Sequence, residues 1–173
     1  TGLIGKNLIT HAKQRKIIIH FLTTRKGECI NSEGIKGFFW NPGQDEIDDS
    51  CFEGVDTLIH LAGANISKPW TPKNKKEILE SRLNGTRLLR KTLDRKKIKM
   101  KSICCAGAIG IYPNSKNDIY EENSGLLQEN FLQKVTYAWE QESKAFSKNS
   151  KNLSIFRIGL VLAKDGGVLS RLT

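Results

Sequence analysis

The chain has 173 residues, 38% hydrophobic and 27% charged, a size and balance that suit one globular domain with a sizeable core. Its formal net charge of +10 raises a nucleic-acid reading, but the lysines are spread through helical segments rather than interleaved with aromatics, so a solvated lysine-rich surface and no nucleic-acid partner are expected. No apolar stretch approaches membrane-spanning length and the cysteines Cys29, Cys51, Cys104 and Cys105 form no C-x-x-C pair, so the expectation is no membrane association, no zinc site and a reducing compartment, the cytoplasm.

Thr1-Gly2-Leu3-Ile4-Gly5 opens the chain and runs into Lys6 to Ala12. The glycines three apart, then Leu3, Ile4, Leu8 and Ile9 at helical spacing, predict the end of a phosphate-binding turn that opens a helix over about 4–14. One glycine lets the backbone approach a pyrophosphate and the other lets helix and strand pack closely. The helix N-terminus adds free N–H groups and the positive end of its dipole. An ordinary tight turn carries the same pair. Its place at the head of the chain favours the phosphate reading, with the expectation that a preceding strand is absent; in a doubly wound sheet that strand lies between the second and fourth.

Lys16 to Arg25 is a near-continuous apolar run of strand length, the pattern of a strand covered on both faces. Ile35 to Trp40 predicts the next strand, closed by Asn41-Pro42-Gly43, followed by an acidic loop or short helix over 45–53. Val55 to Gly63 reads as a buried strand whose small-residue end, Ala62-Gly63-Ala64, lets a ligand lie against the backbone. Thr71 caps and Pro72 begins a long helix to about Arg95, with Ile78, Leu79, Leu83, Thr86, Leu88, Leu89 and Leu93 on its inner face. Met100 to Gly107 predicts a strand with Cys104-Cys105 as filler, Phe131 to Phe146 a helix, and Leu153 to Leu162 a strand ending before Gly166-Gly167. Strands and helices alternating at this spacing predict right-handed βαβ units in an α/β, Rossmann-like doubly wound parallel sheet with helices on both faces, one domain over 1–173. Ligands in such sheets sit at the carboxyl ends of the strands, which directs attention to 1–5, 23–26, 61–65, 105–112 and 158–162.

Along its length the chain carries Thr1-Gly2-Leu3-Ile4-Gly5, His60-Leu61-Ala62-Gly63-Ala64-Asn65-Ile66, Pro69-Trp70-Thr71, Ser81-Arg82-Leu83-Asn84-Gly85-Thr86, Trp139-Glu140 and the block from Arg157 to Gly167. In this order they resemble the atypical extended short-chain dehydrogenase/reductases, the NAD-dependent epimerase/dehydratase or sugar-nucleotide epimerase family proteins. Full-length members of that family are longer, so the resemblance implies the cofactor-binding portion of an enzyme-like protein, truncated at both ends. It also implies a dinucleotide cofactor and a small-molecule substrate. The positions matching the family's cofactor site are Gly2, Leu3, Ile4, Gly5, Arg25, Leu61, Ala62, Gly63, Arg82, Cys105, Ala106 and Gly159.

The end of the second strand, Thr23-Thr24-Arg25-Lys26, offers no carboxylate for ribose hydroxyls. A guanidinium there suits a 2′-phosphate, so NADP(H) is favoured over NAD(H), with a solvated strand-end cation as the alternative for Arg25. Relatives use a Ser/Thr at the end of the fifth strand and a Tyr-x-x-x-Lys pair for proton transfer. Gly107 stands where the serine is expected, and Tyr137 is followed four residues on by Gln141. The catalytic candidates that remain are Tyr112, Tyr137 and Lys134, with Glu140 beside them, each also readable as a surface or structural residue. Arg82 replaces the more common asparagine and reads as a positioning residue, since a guanidinium is no base at neutral pH. The expected function is an NADP(H)-binding epimerase or oxidoreductase acting on a small carbonyl or hydroxyl compound, nucleotide-linked or free. The alternative is a dinucleotide-binding redox sensor or scaffold without turnover.

Overall fold

A computed structural model describes residues 2–27, 31–32, 34–124, 129–163 and 166–167; Thr1, Cys29 and Asp165 lie outside them. Helix α1 (Leu3–Gln14) starts from Gly2 in extended conformation and is followed by β1 (Ile19–Thr23), which is shorter than the apolar run foresees. β1 runs parallel to β3 (Ile35–Asn41), with Ile19 opposite Ile35 and Thr23 opposite Phe39. The short β2 (Asn31–Ser32) and β4 (Glu46–Ile47) pair antiparallel with β3. The acidic stretch folds as β4 and a 3₁₀ turn over Asp49–Phe52, capped by Asp48, which accepts from the Ser50 N–H.

Three parallel strands form the other half of the architecture: β5 (Thr57–His60), β6 (Met100–Ala108) and β7 (Ser150–Ile158), in the order β5-β6-β7. His60 lies opposite Cys105, and Ala108 opposite Ile158. Between β5 and β6 runs α2 (Pro72–Arg95), begun as expected by Thr71, whose Oγ1 accepts from the Asn74 N–H at 3.3 Å, with Pro72 in the first turn. Between β6 and β7 runs α3 (Phe131–Lys144), opened by a reciprocal box: Asn130 Oδ1 accepts from the Gln133 N–H, and Gln133 Oε1 from the Asn130 N–H, both at 3.0 Å. Such a box satisfies donors that a helix start otherwise leaves open.

Among the described residues no backbone ladder joins β1 to β5, so the parallel strands form two hydrogen-bonded halves rather than one continuous sheet. The seam falls where the doubly wound pattern sets a further strand. Side chains hold the halves together: Phe38 and Trp40 of β3 share one buried core with Leu88, Leu89 and Leu93 of α2, Met100 and Ile103 of β6, and Phe146. No residue of α1 is buried.

Two boundaries depart from the sequence expectation for local reasons. β5 ends at His60 rather than near Gly63 because the backbone of Ala64 is taken by α2: its N–H donates to Ser81 Oγ at 2.9 Å, and its carbonyl accepts from Arg82 Nη1 at 3.2 Å. β7 stops at Ile158, and the chain then turns into an antiparallel pair, β8 (Leu162–Ala163) with β9 (Gly166–Gly167). Gly167 has φ +77°, and a Cβ there would lie 2.8 Å from the Val161 carbonyl oxygen; only glycine fits this turn without strain.

Candidate functional site

Gly2 precedes the first turn of α1. Among the described residues a Cβ on it would meet nothing within 4 Å, and its φ of −80° suits any residue, so the described packing does not call for glycine there. Among the described residues the first turn carries no acidic residue and no side-chain cap, so neither offsets the positive helix end. Leu3, Ile4 and Gly5 are half-buried. The Leu3 methyls reach to within 3.3 Å of where Cβ atoms on Gly166 and Gly167 would stand, so the start of α1 adjoins the hairpin that follows β7. Arg25 is exposed just past β1, its N–H donating to Thr23 Oγ1, and the Lys26 ammonium lies over the Phe39 ring at 5.1 Å.

The Ser81-Arg82 dipeptide organises the loop after β5. Ser81 holds the Ala64 N–H while Arg82 holds the Ala64 carbonyl, and Arg82 Nη1 also donates to the Ile78 carbonyl at 2.9 Å. The Arg82 side chain lies against Gly63, where a Cβ would stand 3.1–3.3 Å from its Cζ, Cγ and Nη1, and its Cζ is 5.1 Å from the Trp139 ring centroid. Burial lowers the proton affinity of Arg82. Leu61 and Ala62, half-buried, link this loop to β5.

At the ends of β6 and β7 stands a different cluster. Glu140, 3% exposed, takes both Arg157 Nε (2.9 Å) and Nη2 (3.1 Å) in a bidentate pair. Arg157 Nη1 donates to the Tyr112 hydroxyl at 2.6 Å and to the Glu122 carbonyl at 3.0 Å, while the Tyr112 hydroxyl donates to the Glu121 carbonyl. The pairing with Glu140, above all, raises the already high pKa of Arg157. Tyr112 therefore sits at the strand ends, its oxygen fixed by a cation. A Cβ on Gly107 would come 3.1 Å from Glu140 Oε1 and 3.2 Å from Ile155 Cγ2, so the carboxylate crowds the space a serine would need.

The face of α3 turned to this end is not the one carrying Tyr137. A Cβ on Gly110 would lie 3.7 Å from Leu132 Cβ and 4.0 Å from Thr136 Oγ1. With Glu140 over Gly107, the inward positions are Leu132, Thr136 and Glu140, four apart as one helix face requires. Lys134 and Gln141 are exposed, and Tyr137 is half-buried. Among the described residues no hydrogen bond joins Tyr137 or Lys134 to Tyr112. Cys105 belongs to the core, its thiol pushed up to about 11 by burial. Ala106 is buried beside it, and Gly159, exposed, lies against Ile109. The Glu140–Arg157 pair and the Arg82–Trp139 stack were not foreseen. Their signs in the sequence are the Ser81-Arg82 and Trp139-Glu140 dipeptides, the second of which seats one arginine on each residue.

Beneath the site His60 is 2% exposed, and burial pushes its pKa down to about 4. Its Nε2 lies 3.1 Å from Thr86 Oγ1, which donates its own proton to the Arg82 carbonyl at 2.8 Å. Nε2 must therefore be the protonated nitrogen of a neutral ring. Among the described residues no cluster of three His, Cys, Asp or Glu could hold a metal ion, and no helix is long and apolar enough to cross a membrane.

Comparison with known proteins fits this arrangement. An epimerase family protein of Staphylococcus epidermidis is 30% identical over 171 residues, 98% of this chain and 55% of that protein; one of Staphylococcus aureus is 29% identical over 169 residues with the same coverage. The chain thus spans about half the length of the curated relatives it matches. The human epimerase family protein SDR39U1, solved with NADPH, superposes with a TM-score of 0.78 at 21% identity, over 99% of this chain and 55% of that one. MoeE5, solved with UDP-glucose and NAD, gives 0.74 at 17%, over 99% and 56%. These likenesses bear out the Rossmann-like fold. Residues 1–141 match the model of one family directly, and the chain belongs to the NAD dependent epimerase/dehydratase family.

Proposed function

We propose that the whole protein binds a nicotinamide dinucleotide, NADP(H) in preference to NAD(H), and works as an epimerase or oxidoreductase on a small carbonyl or hydroxyl substrate, nucleotide sugars included. The observation that carries this reading is the start of α1, where, among the described residues, a glycine that the packing does not need stands before a helix end with no side-chain cap and no acid in its first turn. Such an end suits a diphosphate. The backbone of Gly2 to Gly5 would receive it, Arg25 would take the 2′-phosphate, and Leu61 to Gly63, Arg82 and Gly159 would border the rest, with Cys105 and Ala106 buried behind them. The cofactor, when bound, supplies hydride chemistry. The residues of this chain orient the ligands and move protons. Tyr112, its oxygen held by Arg157, is the leading proton-transfer group, with Tyr137 and Lys134 as the other candidates. A second reading, a dinucleotide-binding sensor or scaffold without turnover, is favoured by the crowding of Glu140 against Gly107 and by the inward face Leu132–Thr136, which carries neither tyrosine nor lysine.

Calorimetric titration of the whole protein with NADPH and NADH tests the proposal. Gly2→Val is expected to abolish binding of both while leaving the melting temperature in place; unchanged affinity overturns the phosphate-binding turn. Arg25→Ala is expected to weaken NADPH about 10- to 100-fold and leave NADH nearly unchanged, as loss of one charge-assisted contact would. Equal losses for both cofactors overturn the NADP preference. Tight NADPH binding with no hydride loss across a carbonyl panel selects the second reading.

A further inference from the structure

Trp139 and Glu140, adjacent on α3, each seat a guanidinium, and the two guanidiniums differ in one respect. Arg157 is neutralised by the Glu140 carboxylate. Arg82 has only the carbonyls of Ala64 and Ile78 and the face of an indole; among the described residues no carboxylate pairs with it. A partly buried cation without a counter-charge is costly to keep, yet nothing in the packing requires a charge here. The carbonyl contacts use Nη1 alone. The N–H groups on Nε and Nη2 make no hydrogen bond among the described residues and are not sealed from solvent. The guanidinium is also held in place: Gly63 leaves no room for a Cβ against it, the Trp139 ring centroid stands 5.1 Å from its Cζ, and Ser81 fixes the loop it grips. Trp139 itself leaves its buried Nε1–H without a partner, a further unmet donor in the same packing unit.

We propose that Arg82 is an anion receptor at the carboxyl end of β5, its free guanidinium edge taking a pair of phosphate or carboxylate oxygens from a bound ligand. This inference rests on the reading that ligands occupy this end of the sheet, and it adds the recognition chemistry. Planar bidentate capture explains why an arginine rather than a lysine lies there. One anion can come from two sources: the diphosphate of the dinucleotide, or an acidic group on the substrate.

The test uses the whole protein with Arg82→Gln and Arg82→Lys. NADPH affinity is measured by calorimetry, and inorganic pyrophosphate is added to NADPH-saturated protein with thermal shift as the readout. If the cofactor supplies the anion, Arg82→Gln weakens NADPH about 10- to 100-fold, with Arg82→Lys between it and the parent. If the substrate supplies it, NADPH affinity holds and the pyrophosphate shift is lost in Arg82→Gln. The unaltered protein is also treated with phenylglyoxal, with modification of Arg82 followed by peptide mass; protection by NADPH or pyrophosphate is expected, and this measurement stands even where a variant fails to fold. If neither ligand protects Arg82 in the unaltered protein, the proposal is overturned, as it is if folded variants bind both ligands like the parent. Failure of the unaltered protein to bind NADPH would refute the dinucleotide reading alone, and Arg82 would then be judged by pyrophosphate.

Discussion

Acid should destabilise this protein through His60 well before the bulk of its carboxylates titrate. The imidazole is 2% exposed, beside Trp40 at 6.5 Å between ring centroids, with Thr86 Oγ1 at its Nε2. Burial lowers its pKa from 6.5 to about 4. The unfolded chain takes up a proton as pH falls through 6.5, while the folded chain resists until about 4. Stability is therefore complete above the ordinary histidine pKa, falls through that window, and loses nothing further from this residue below it. The gap corresponds to about 3 kcal/mol, a large part of the roughly 5–15 kcal/mol that holds a typical domain together. Urea unfolding of the whole protein between about pH 7.5 and pH 4, with His60→Leu alongside, isolates the effect. Asp49 and Asp56, whose pKa values are lowered chiefly by hydrogen bonds from Lys96 and Lys101, contribute equally to both proteins and cancel in the difference. Parallel pH profiles for parent and variant would refute the assignment of a neutral buried imidazole.

Glu140→Ala leaves Arg157 enclosed without its carboxylate, and a loss of about 3–5 kcal/mol is expected by urea titration; a loss under 1 kcal/mol would mean that water replaces the pair. Gly107→Ser brings a side chain within 3.1–3.2 Å of Glu140 Oε1 and Ile155 Cγ2, so it should cost about 1–3 kcal/mol and lower the melting temperature, and an unchanged melt would show that Glu140 yields easily. Thr71→Ala removes the acceptor for the Asn74 N–H and should cost about 1 kcal/mol, measured the same way.

What could be read from the sequence was what local chemistry decides. Thr71-Pro72 announces the start of α2 because a cap hydroxyl and a missing N–H act within one turn. The unbroken apolar run from Ile103 to Ala106 announces a strand flanked on both sides, as β6 is. The start of α1 straight after Gly2 was legible because Leu3, Ile4, Leu8 and Ile9 fall at helical spacing. The end of β5 was not, since Ala64 is captured by residues 17 and 18 positions away. Nor was the inward face of α3: Tyr137 invites pairing with a residue four on, but rotation of the helix is set by Leu132 and Thr136 meeting Gly110 and by Glu140 meeting Arg157. The Ser81-Arg82 and Trp139-Glu140 dipeptides stand out in the sequence as marks without reasons; their reasons are contacts between helices and strands that no short window contains.

The seam between β1 and β5 sets how the backbone should open. Among the described residues β6 is bonded along both edges, to β5 and β7, whereas β1 is bonded to β3 alone. Amide hydrogen exchange should therefore divide the molecule into two cooperative units. The half built on β5, β6 and β7 should exchange last, through global unfolding, and the half built on β1 and β3 earlier, by detaching as a body with Trp40 drawn away from Gly85 and His60. A segment that bonded to both facing edges would erase that division, and the two exchange rates would merge.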